Sequence, residues 1–194
     1  MLEPKEFERG FRRWLRDSVT KIAGETVSID EKTLCGSRGE EEKAAHMVSA
    51  WVNQQRLVLG QIKVDDKSNE IAAVPQLLDM IDVDGCVITA DAMSCQKEIV
   101  KKIAEKQADY AVGLKGTVRA HLGIENSLHW CLDVAFREDH CRARKDHSAE
   151  NFAVIRHIAL NMLKQDTSKM SLRANRHRCA YDDAFLLHIL HLLM

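Results

Sequence analysis

The sequence lacks the features that mark several common protein classes. Its six cysteines include no CxxC pair, it has only two prolines, and its net charge at pH 7 is −1. No run approaches the roughly 18 consecutive apolar residues of a membrane-spanning helix. The N-terminal segment has no apolar core of an export signal. A disulfide framework and a membrane span are therefore not expected, and the sequence predicts a cytoplasmic globular protein.

Motifs of the common nucleotide-binding and hydrolase sites are missing as well. There is no GxxxxGK[ST] loop, no GxGxxG after a strand and no GxSxG elbow. Cys131, His140 and Cys141 are the residues nearest to a zinc pattern, but their spacing fits no closed four-ligand site. Free and mostly buried thiols are the preferred interpretation of the cysteines.

Charge is distributed unevenly along the chain. Residues 137–178 hold ten Lys/Arg against five Asp/Glu, whereas the first 136 residues hold 18 against 22. A basic C-terminal part suits contact with phosphate, and an acidic front part can supply a cluster of carboxylates. A solvated helix face explains the same charge equally well, so charge alone does not identify a nucleic-acid partner.

Hydrophobic periodicity predicts an α/β protein. Strand-like runs lie at 26–30, 44–52, 56–64, 85–90 and 110–114. Helical patterns lie at 4–22, 75–82 (with Pro75 in the first turn), 95–107, 119–135, 148–165 and 181–193. The polar segments 31–43 and 166–180 are predicted to be loops.

The order of these elements predicts an RNase H-like mixed sheet. Three antiparallel strands are followed by two parallel strands with crossover helices, and further helices complete the chain. We therefore expect three parts: an N-terminal helix at 1–24, an RNase H-like core at 25–136, and a basic C-terminal helical segment at 137–194.

Two aspartates follow apolar strand-like runs. Asp30 is predicted to end the first strand, and Asp91 follows the central buried strand. An aspartate at such a position must be solvated, paired or bound to a metal. A cap or turn is the plainer interpretation of either one alone, but their places on the first and fourth strands favour a shared site.

The helix predicted at 119–135 offers a third carboxylate. Its buried stripe is expected to comprise Ile124, Leu128, Cys131, Leu132 and Ala135. Beside it, His121, Glu125, His129 and Asp133 recur every four residues and so share one face. Glu125 is the natural third ligand and Asp133 the fallback, whereas a solvated stripe is the alternative.

Three converging carboxylates repel one another unless a cation neutralises them. Hard oxygen ligands select Mg²⁺ or Mn²⁺. A pair of such ions can activate a water or a 3′-hydroxyl and stabilise the leaving oxygen of a phosphodiester. The residues therefore favour phosphoryl transfer on nucleic acid.

The same residues lie in segments that closely resemble insertion-sequence transposases of the H-repeat-associated group. These segments cover nearly the whole chain: VSIDEKTLCGS, HMVSAWVNQQRLVLGQIKVDDKSNEI, CVITADAMSCQKEI, DYAVGLKG, RAHLGIENSLHWCLDVAFREDHCRARKDHSAENFAVIRHIALNMLKQD and AYDDAFLL. The group is similar to cut-and-paste DDE transposases. The resemblance thus implies an RNase H-like fold, a divalent metal ion and binding to the terminal inverted repeats of the element. It is also compatible with a homodimer in a transposition complex.

The resemblance also assigns roles to individual residues. Asp30, Asp91 and Glu125 would be the catalytic and metal-binding triad, and His121 stands where related transposases often carry a basic residue near the scissile phosphate. The residues expected to contact DNA are Lys32, Arg119, Arg137, Arg142, Arg144 and Lys145.

The sequence departs from this group in ways that predict impaired activity. A helical segment before Phe7 and a long, largely β-type segment between Gly116 and Thr117 have no counterpart. Glu31, Cys35 and Leu122 replace a glycine, an arginine and a tryptophan, and Glu31 is expected to add charge beside the metal. We expect a truncated transposase with impaired strand transfer. The alternatives are a non-catalytic DNA-binding remnant and an RNase H-like nuclease with another substrate.

Overall fold

A computed structural model describes residues 3–19, 21–38, 43–64, 70–91, 96–112 and 123–192. Its strands are β1 (Thr26–Leu34), β2 (Ala45–Val52), β3 (Leu57–Val64), β4 (Val87–Ala90) and β5 (Asp109–Val112). Its α-helices are α1 (Pro4–Ser18), α2 (Glu70–Met80), α3 (Lys97–Glu105), α4 (Trp130–Val134), α5 (Ser148–Gln165), α6 (Leu172–Arg178) and α7 (Asp183–His191). A π-helical turn at Glu125–His129 leads into α4. Within these ranges, no helix combines the length and the apolarity needed to cross a membrane.

The five strands form one mixed sheet in the order β3-β2-β1-β4-β5. β2 is antiparallel to both β1 and β3, whereas β4 is parallel to both β1 and β5. The parallel strands follow α2 and α3, as crossover connections require. The RNase H-like arrangement predicted from the order of elements is confirmed.

β1 is longer than its apolar run suggested. The prediction that Asp30 ends this strand and that a loop follows was wrong, because pairing with β2 continues to Leu34 opposite Ala45. Leu34 is 5% exposed, so its burial holds the far end of the strand. Asp30 therefore lies inside β1, which stays paired with β2 up to Leu34.

The sheet separates two apolar clusters. On one face, Val27 and Ile29 pack with Phe11 of α1 and Leu77 of α2. The other face carries a second cluster made of Trp51, Val58, Ile124, Leu128, Cys131, Leu132 and Leu160. Because neighbouring strand residues point to opposite faces, Asp30 projects away from the Val27 and Ile29 cluster and toward the π-helical turn.

Side chains from two helices satisfy the backbone of the edge strand β3. Asn161 of α5 accepts a hydrogen bond from the Val58 N–H at 2.8 Å and donates to the Val58 carbonyl at 3.0 Å. Glu8 of α1 accepts one from the Gln61 N–H at 3.1 Å. Unpaired edge groups invite pairing with other strands, and these contacts block that edge.

The helix predicted at 75–82 begins earlier than its proline suggested. α2 already includes Glu70, so Pro75 lies inside the helix and not in its first turn. Proline removes one backbone hydrogen bond there. The buried side chains of Val74, Leu77 and Leu78 anchor the helix on the sheet in spite of that loss.

Two other helical boundaries differ from the prediction. α6 lies in the segment predicted as a loop at 166–180. Ser171 caps it by accepting a hydrogen bond from the Ala174 N–H at 3.2 Å, a signal that the polar composition concealed. α1 ends at Ser18, before the predicted residue 22, because the backbone of Val19 is extended.

Glu8 gives the fold a dependence on pH. Burial raises the pKa of its carboxyl from 4.5 to about 7, against the Gln61 hydrogen bond and the Arg12 charge, which lower it. The protonated form is thus preferred in the folded state. Its contribution to stability is complete below pH 4.5 and is lost as the pH rises through about 7.

We expect Glu8→Gln to stabilise the protein at pH 8 but hardly at pH 4, because glutamine can still accept the Gln61 hydrogen bond and never ionises. The gain at pH 8 is up to about 3 kcal/mol, the equivalent of the pKa shift. Urea unfolding at both pH values measures it, with the exposed Glu6→Gln as the control. An equal effect of Glu8→Gln at both pH values would contradict the prediction.

Candidate functional site

Asp30 and Asp91 lie at neighbouring positions on adjacent parallel strands. Ile29 pairs with Ala90 in the last matched position of β1 and β4, and the two aspartates are the next residues. Both side chains are partly buried. This register makes the two residues neighbours on adjacent strands, as the sequence predicted for their strands.

The Asp30 carboxylate is oriented by two groups. Its Oδ1 accepts a hydrogen bond from the Glu31 N–H at 2.9 Å. Its Oδ2 lies 3.7 Å from Nδ1 of His129, whose side chain is 15% exposed. His129 belongs to the predicted polar helix stripe but was not predicted as a site residue. Its spacing of four residues from Asp133 is the signal that could have identified it.

The π-helical turn separates Glu125 from the residues that face β1. The Trp130 N–H donates to the Glu125 carbonyl, five residues back, so this turn holds one residue more than an α-helical turn. The predicted buried stripe from Ile124 to Ala135 is confirmed. His129 and Asp133 reach β1 residues, whereas Glu125 is exposed.

The donor chemistry of this site suits a hard divalent cation, since Asp30, Asp91 and Glu125 offer only carboxylate oxygens. Asp30 and Asp91 follow paired positions of β1 and β4 and would be two of its ligands. Over the described ranges, however, no three His, Cys, Asp or Glu side chains are grouped closely enough to hold one. His121 and Arg119, two further predicted site residues, lie outside the described residues.

A row of buried polar side chains supports the approach of the Glu125 turn to the sheet. Thr89 donates to the Ser28 hydroxyl at 2.9 Å, and the Asn53 amide donates to the same oxygen at 2.8 Å. Gly123 lies directly over Asn53, because a Cβ there would be 2.5 Å from its Oδ1. Sequence analysis missed this row, although Ser28 precedes Asp30 by two residues on the same strand face.

Lys32 is held in a cluster of carboxylates beside Asp30. Its Nζ donates to Asp133 at 2.7 Å and lies 3.4 Å from Asp139 and 3.7 Å from Glu138. Burial lowers the pKa of Lys32, but the Asp133 hydrogen bond and the neighbouring negative charges outweigh it, so the net pKa is raised. Lys32 was predicted to contact DNA, but its charge is bound by these acids. Asp133, the fallback metal ligand, is one of them and is bound by Lys32.

Glu138 is the most buried acid of this cluster. Its side chain is 2% exposed, and Arg156 lies 3.4 Å from its Oε1. Burial raises the pKa of Glu138, while the charges of Lys32 and Arg156 act in the opposite direction. The cluster joins β1, α4, α5 and the 3₁₀ turn at Glu138–His140 into one unit next to Asp30.

Next to this cluster in the sequence lies an exposed basic segment, residues 137–145. Arg137, Arg142, Arg144 and Lys145, all predicted to contact DNA, are exposed. The Arg144 Nε donates to the Gly36 carbonyl at 3.2 Å and so ties the segment to the end of β1. Arg137 and Arg142 lie on either side of the 3₁₀ turn that carries Glu138 and Asp139 of the Lys32 cluster.

Glu31, expected to add charge beside the metal, lies on the other face of the sheet. Successive strand residues alternate, and the Glu31 carboxylate contacts the His46 ring of β2. That ring nitrogen also lies 3.0 Å from the Thr33 hydroxyl. The charge of Glu31 is thus engaged away from Asp30.

The sheet order β3-β2-β1-β4-β5 defines an RNase H-like fold. Residues 20–122 and 117–162 match the family described as "Transposase DDE domain". The chain belongs to this family, whose members use a divalent metal ion.

Individual relatives agree with this assignment. The chain is 28% identical to "H repeat-associated putative transposase YhhI" of Escherichia coli (strain K12) over 292 residues, which cover 97% of this chain and 77% of the relative. It is 46% identical to "Putative transposase YncI" of the same strain over 132 residues, which cover 67% of this chain and 50% of the relative.

A solved structure shares the fold. It is a chain of the simian T-cell lymphotropic virus intasome in complex with PP2A regulatory subunit B56 gamma, determined by cryo-electron microscopy. The TM-score is 0.50 at 9% identity, over 68% of this chain and 47% of that chain. At this identity the likeness concerns the fold alone.

The comparisons show gaps and a break in how this chain matches its relatives. The alignment with the first relative runs over 292 residues, more than the 194 residues of this chain. The two pieces of the family match meet at residues 117–122. This is where the resemblance predicted a missing segment, between Gly116 and Thr117.

We expect Lys32→Met to destabilise the protein by about 3 kcal/mol, because it leaves the buried Glu138 beside two further acids without their shared cation. Urea unfolding measures the change. The control is Lys63→Met, which alters an exposed strand lysine and should change stability by less than about 0.5 kcal/mol. Equal unfolding midpoints for the two variants would contradict the role of the cluster.

Gly36→Ala is expected to destabilise the protein. The new Cβ would lie 2.1 Å from the Cys141 carbonyl oxygen and 2.7 Å from that of Asp139, and both are backbone atoms. Gly10→Ala is the matched control, since no atom lies within 4 Å of its Cβ and alanine favours the helix by about 1 kcal/mol. Thermal unfolding should show opposite shifts, and a stable Gly36→Ala would refute the close approach.

Proposed function

We propose that this chain is a DDE transposase that cleaves and rejoins DNA at the terminal inverted repeats of its element. Asp30, Asp91 and Glu125 would hold Mg²⁺ or Mn²⁺. The observation that carries the proposal is the adjacency of Asp30 and Asp91 on β1 and β4. The proposal includes action in the cytoplasm and assembly as a homodimer within a transposition complex.

The chain supplies orientation, charge and DNA contacts for this chemistry. A bound divalent ion would supply an activated oxygen nucleophile and a positive charge at the leaving oxygen. The Glu31 N–H and His129 orient the Asp30 carboxylate toward the face on which the reaction would occur. His121, by its place in the family motif, would lie near the scissile phosphate.

The exposed basic segment would hold the DNA backbone near the carboxylates. Arg137, Arg142, Arg144 and Lys145 are free of the carboxylate cluster that engages Lys32, so they can reach phosphates. Such contacts set the register and much of the affinity of a protein on DNA. Arg119 belongs to the same proposal through its place in the sequence.

We further propose that strand transfer is impaired in this chain. The relatives carry a segment before the Glu125 turn that has no counterpart here, and Glu125 is exposed on a π-helical turn. A third ligand that must move before it binds a metal ion lowers the fraction of chains that are competent for chemistry.

Metal-dependent nicking of a duplex that carries the element's inverted repeat tests the catalytic proposal. We expect slow nicking with Mg²⁺ or Mn²⁺ that falls to background in Asp91→Asn, because the amide no longer offers a charged ligand. Asp109→Asn, at an exposed position of β5, is the matched control and should nick as the parent does. Loss of nicking in both variants, or in neither, would contradict the assignment of Asp91.

A second candidate is a non-catalytic DNA-binding remnant. It is favoured by the absence, within the described ranges, of a three-ligand metal group. In that case the parent chain would bind the inverted repeat but would nick it with neither metal. The affinity should fall steeply with added salt if phosphate contacts dominate.

A further inference from the structure

A basic groove lies on the face of the sheet opposite to Asp30. Its volume is about 750 Å³, and it runs between α1 and the residues that follow α2. Leu15 and Ile81 line it and belong to the apolar cluster of Val27. The groove is therefore separated by the sheet from the face that carries Asp30.

Cationic side chains dominate the polar lining of this groove. They are Arg9, Arg12, Arg13, Arg16 and Lys21, and the lining carboxylate among the described residues is Asp82. The first four belong to α1, where residues spaced by three or four share one face. From Arg9 to Arg16 the stripe spans roughly 10 Å along the helix axis.

These cations differ in how much they are engaged by the protein itself. Arg12 is structural, since its Nη1 donates to the Met80 carbonyl at 2.8 Å and joins α1 to the end of α2. Arg9 and Arg16 make ion pairs with neighbouring residues of α1, but their side chains are 70% and 77% exposed. Exposed pairs of this kind contribute little, so these arginines can exchange partners for a ligand.

We propose that this groove binds the backbone of a duplex DNA segment. Guanidinium groups bind phosphate oxygens in pairs of hydrogen bonds, and the stripe is long enough to contact about two successive phosphates of one strand. The proposal goes beyond the proposed function, because the groove holds DNA away from the carboxylates. The DNA bound there is a second segment, distinct from the one at Asp30.

Binding of a mixed-sequence duplex, followed by fluorescence anisotropy over a series of salt concentrations in EDTA, tests the groove. Each lost phosphate contact should lower the slope of log affinity against log salt by about one. We expect Arg13→Ala/Arg16→Ala to lower this slope by about two and the low-salt affinity by at least about tenfold. Lys97→Ala/Lys101→Ala, which removes two exposed charges from α3, should leave the slope near that of the parent.

Equal slopes for the two double variants would overturn the proposal. Unchanged DNA binding with lost binding of polyglutamate would also overturn it, because the occupant would then be an acidic polypeptide. Far-UV circular dichroism checks folding. If the double variant unfolds, the single variants Arg13→Gln and Arg16→Gln should each lower the slope by about one, and no change in either would overturn the proposal.

Catalysis and groove binding fail separately in this design. The same anisotropy series in the Asp91→Asn background should give the same loss of slope, since that residue lies on the other side of the sheet. A parent chain that never nicks, but whose slope still depends on Arg13 and Arg16, would remove the catalytic proposal and retain the groove. A chain that nicks, but whose slope does not depend on Arg13 and Arg16, would remove the groove proposal and retain the catalytic one.

Discussion

The central strand β1 determines how the rest of the molecule is arranged. It is hydrogen-bonded on both sides, to β2 in antiparallel and to β4 in parallel orientation, so it cannot slip without breaking two ladders. A slip of one residue would exchange its faces and would bury Asp30 in the cluster of Val27 and Ile29. The apolar residues of β1 thus fix the direction in which its acidic and basic residues point.

The Lys32 cluster connects that strand to the helical layer. Breaking a buried ion pair is costly, whereas the pair itself adds little net stability compared with an apolar replacement. The cluster is better understood as a geometric constraint. It fixes the position of α4, and with it His129, relative to β1. The backbone at Gly123 comes close to Asn53 because glycine has no Cβ.

Much of the fold was predictable because it follows from apolar periodicity and from the order of the elements. The buried stripe from Ile124 to Ala135 and the sheet order are of this kind. The end of β1 was not predictable, since its polar residues from Glu31 are held by backbone pairing with β2. α2 was misjudged because core packing outweighs the penalty of Pro75, and α6 because its Ser171 cap stands in a polar segment.

The neighbouring positions of Asp30 and Asp91 were predictable, but the surroundings of the candidate site were not. Their places at strand positions can be inferred from the sequence, since parallel neighbours with matched register bring successive residues together. The position of Glu125 cannot be inferred in this way. A π-helical turn adds one residue without changing which side chains are apolar, so periodicity does not reveal it. Likewise, no local pattern shows that Lys32 contacts acids that lie about a hundred residues later.

The two edges of the sheet differ in a way that bears on how such chains change length. Glu8 and Asn161 bind backbone groups of β3, whereas β5, at the opposite edge, is followed in the sequence by the residues at which the two pieces of the family match overlap. A change of chain length after β5 therefore leaves the contacts of Glu8 and Asn161 with β3 in place.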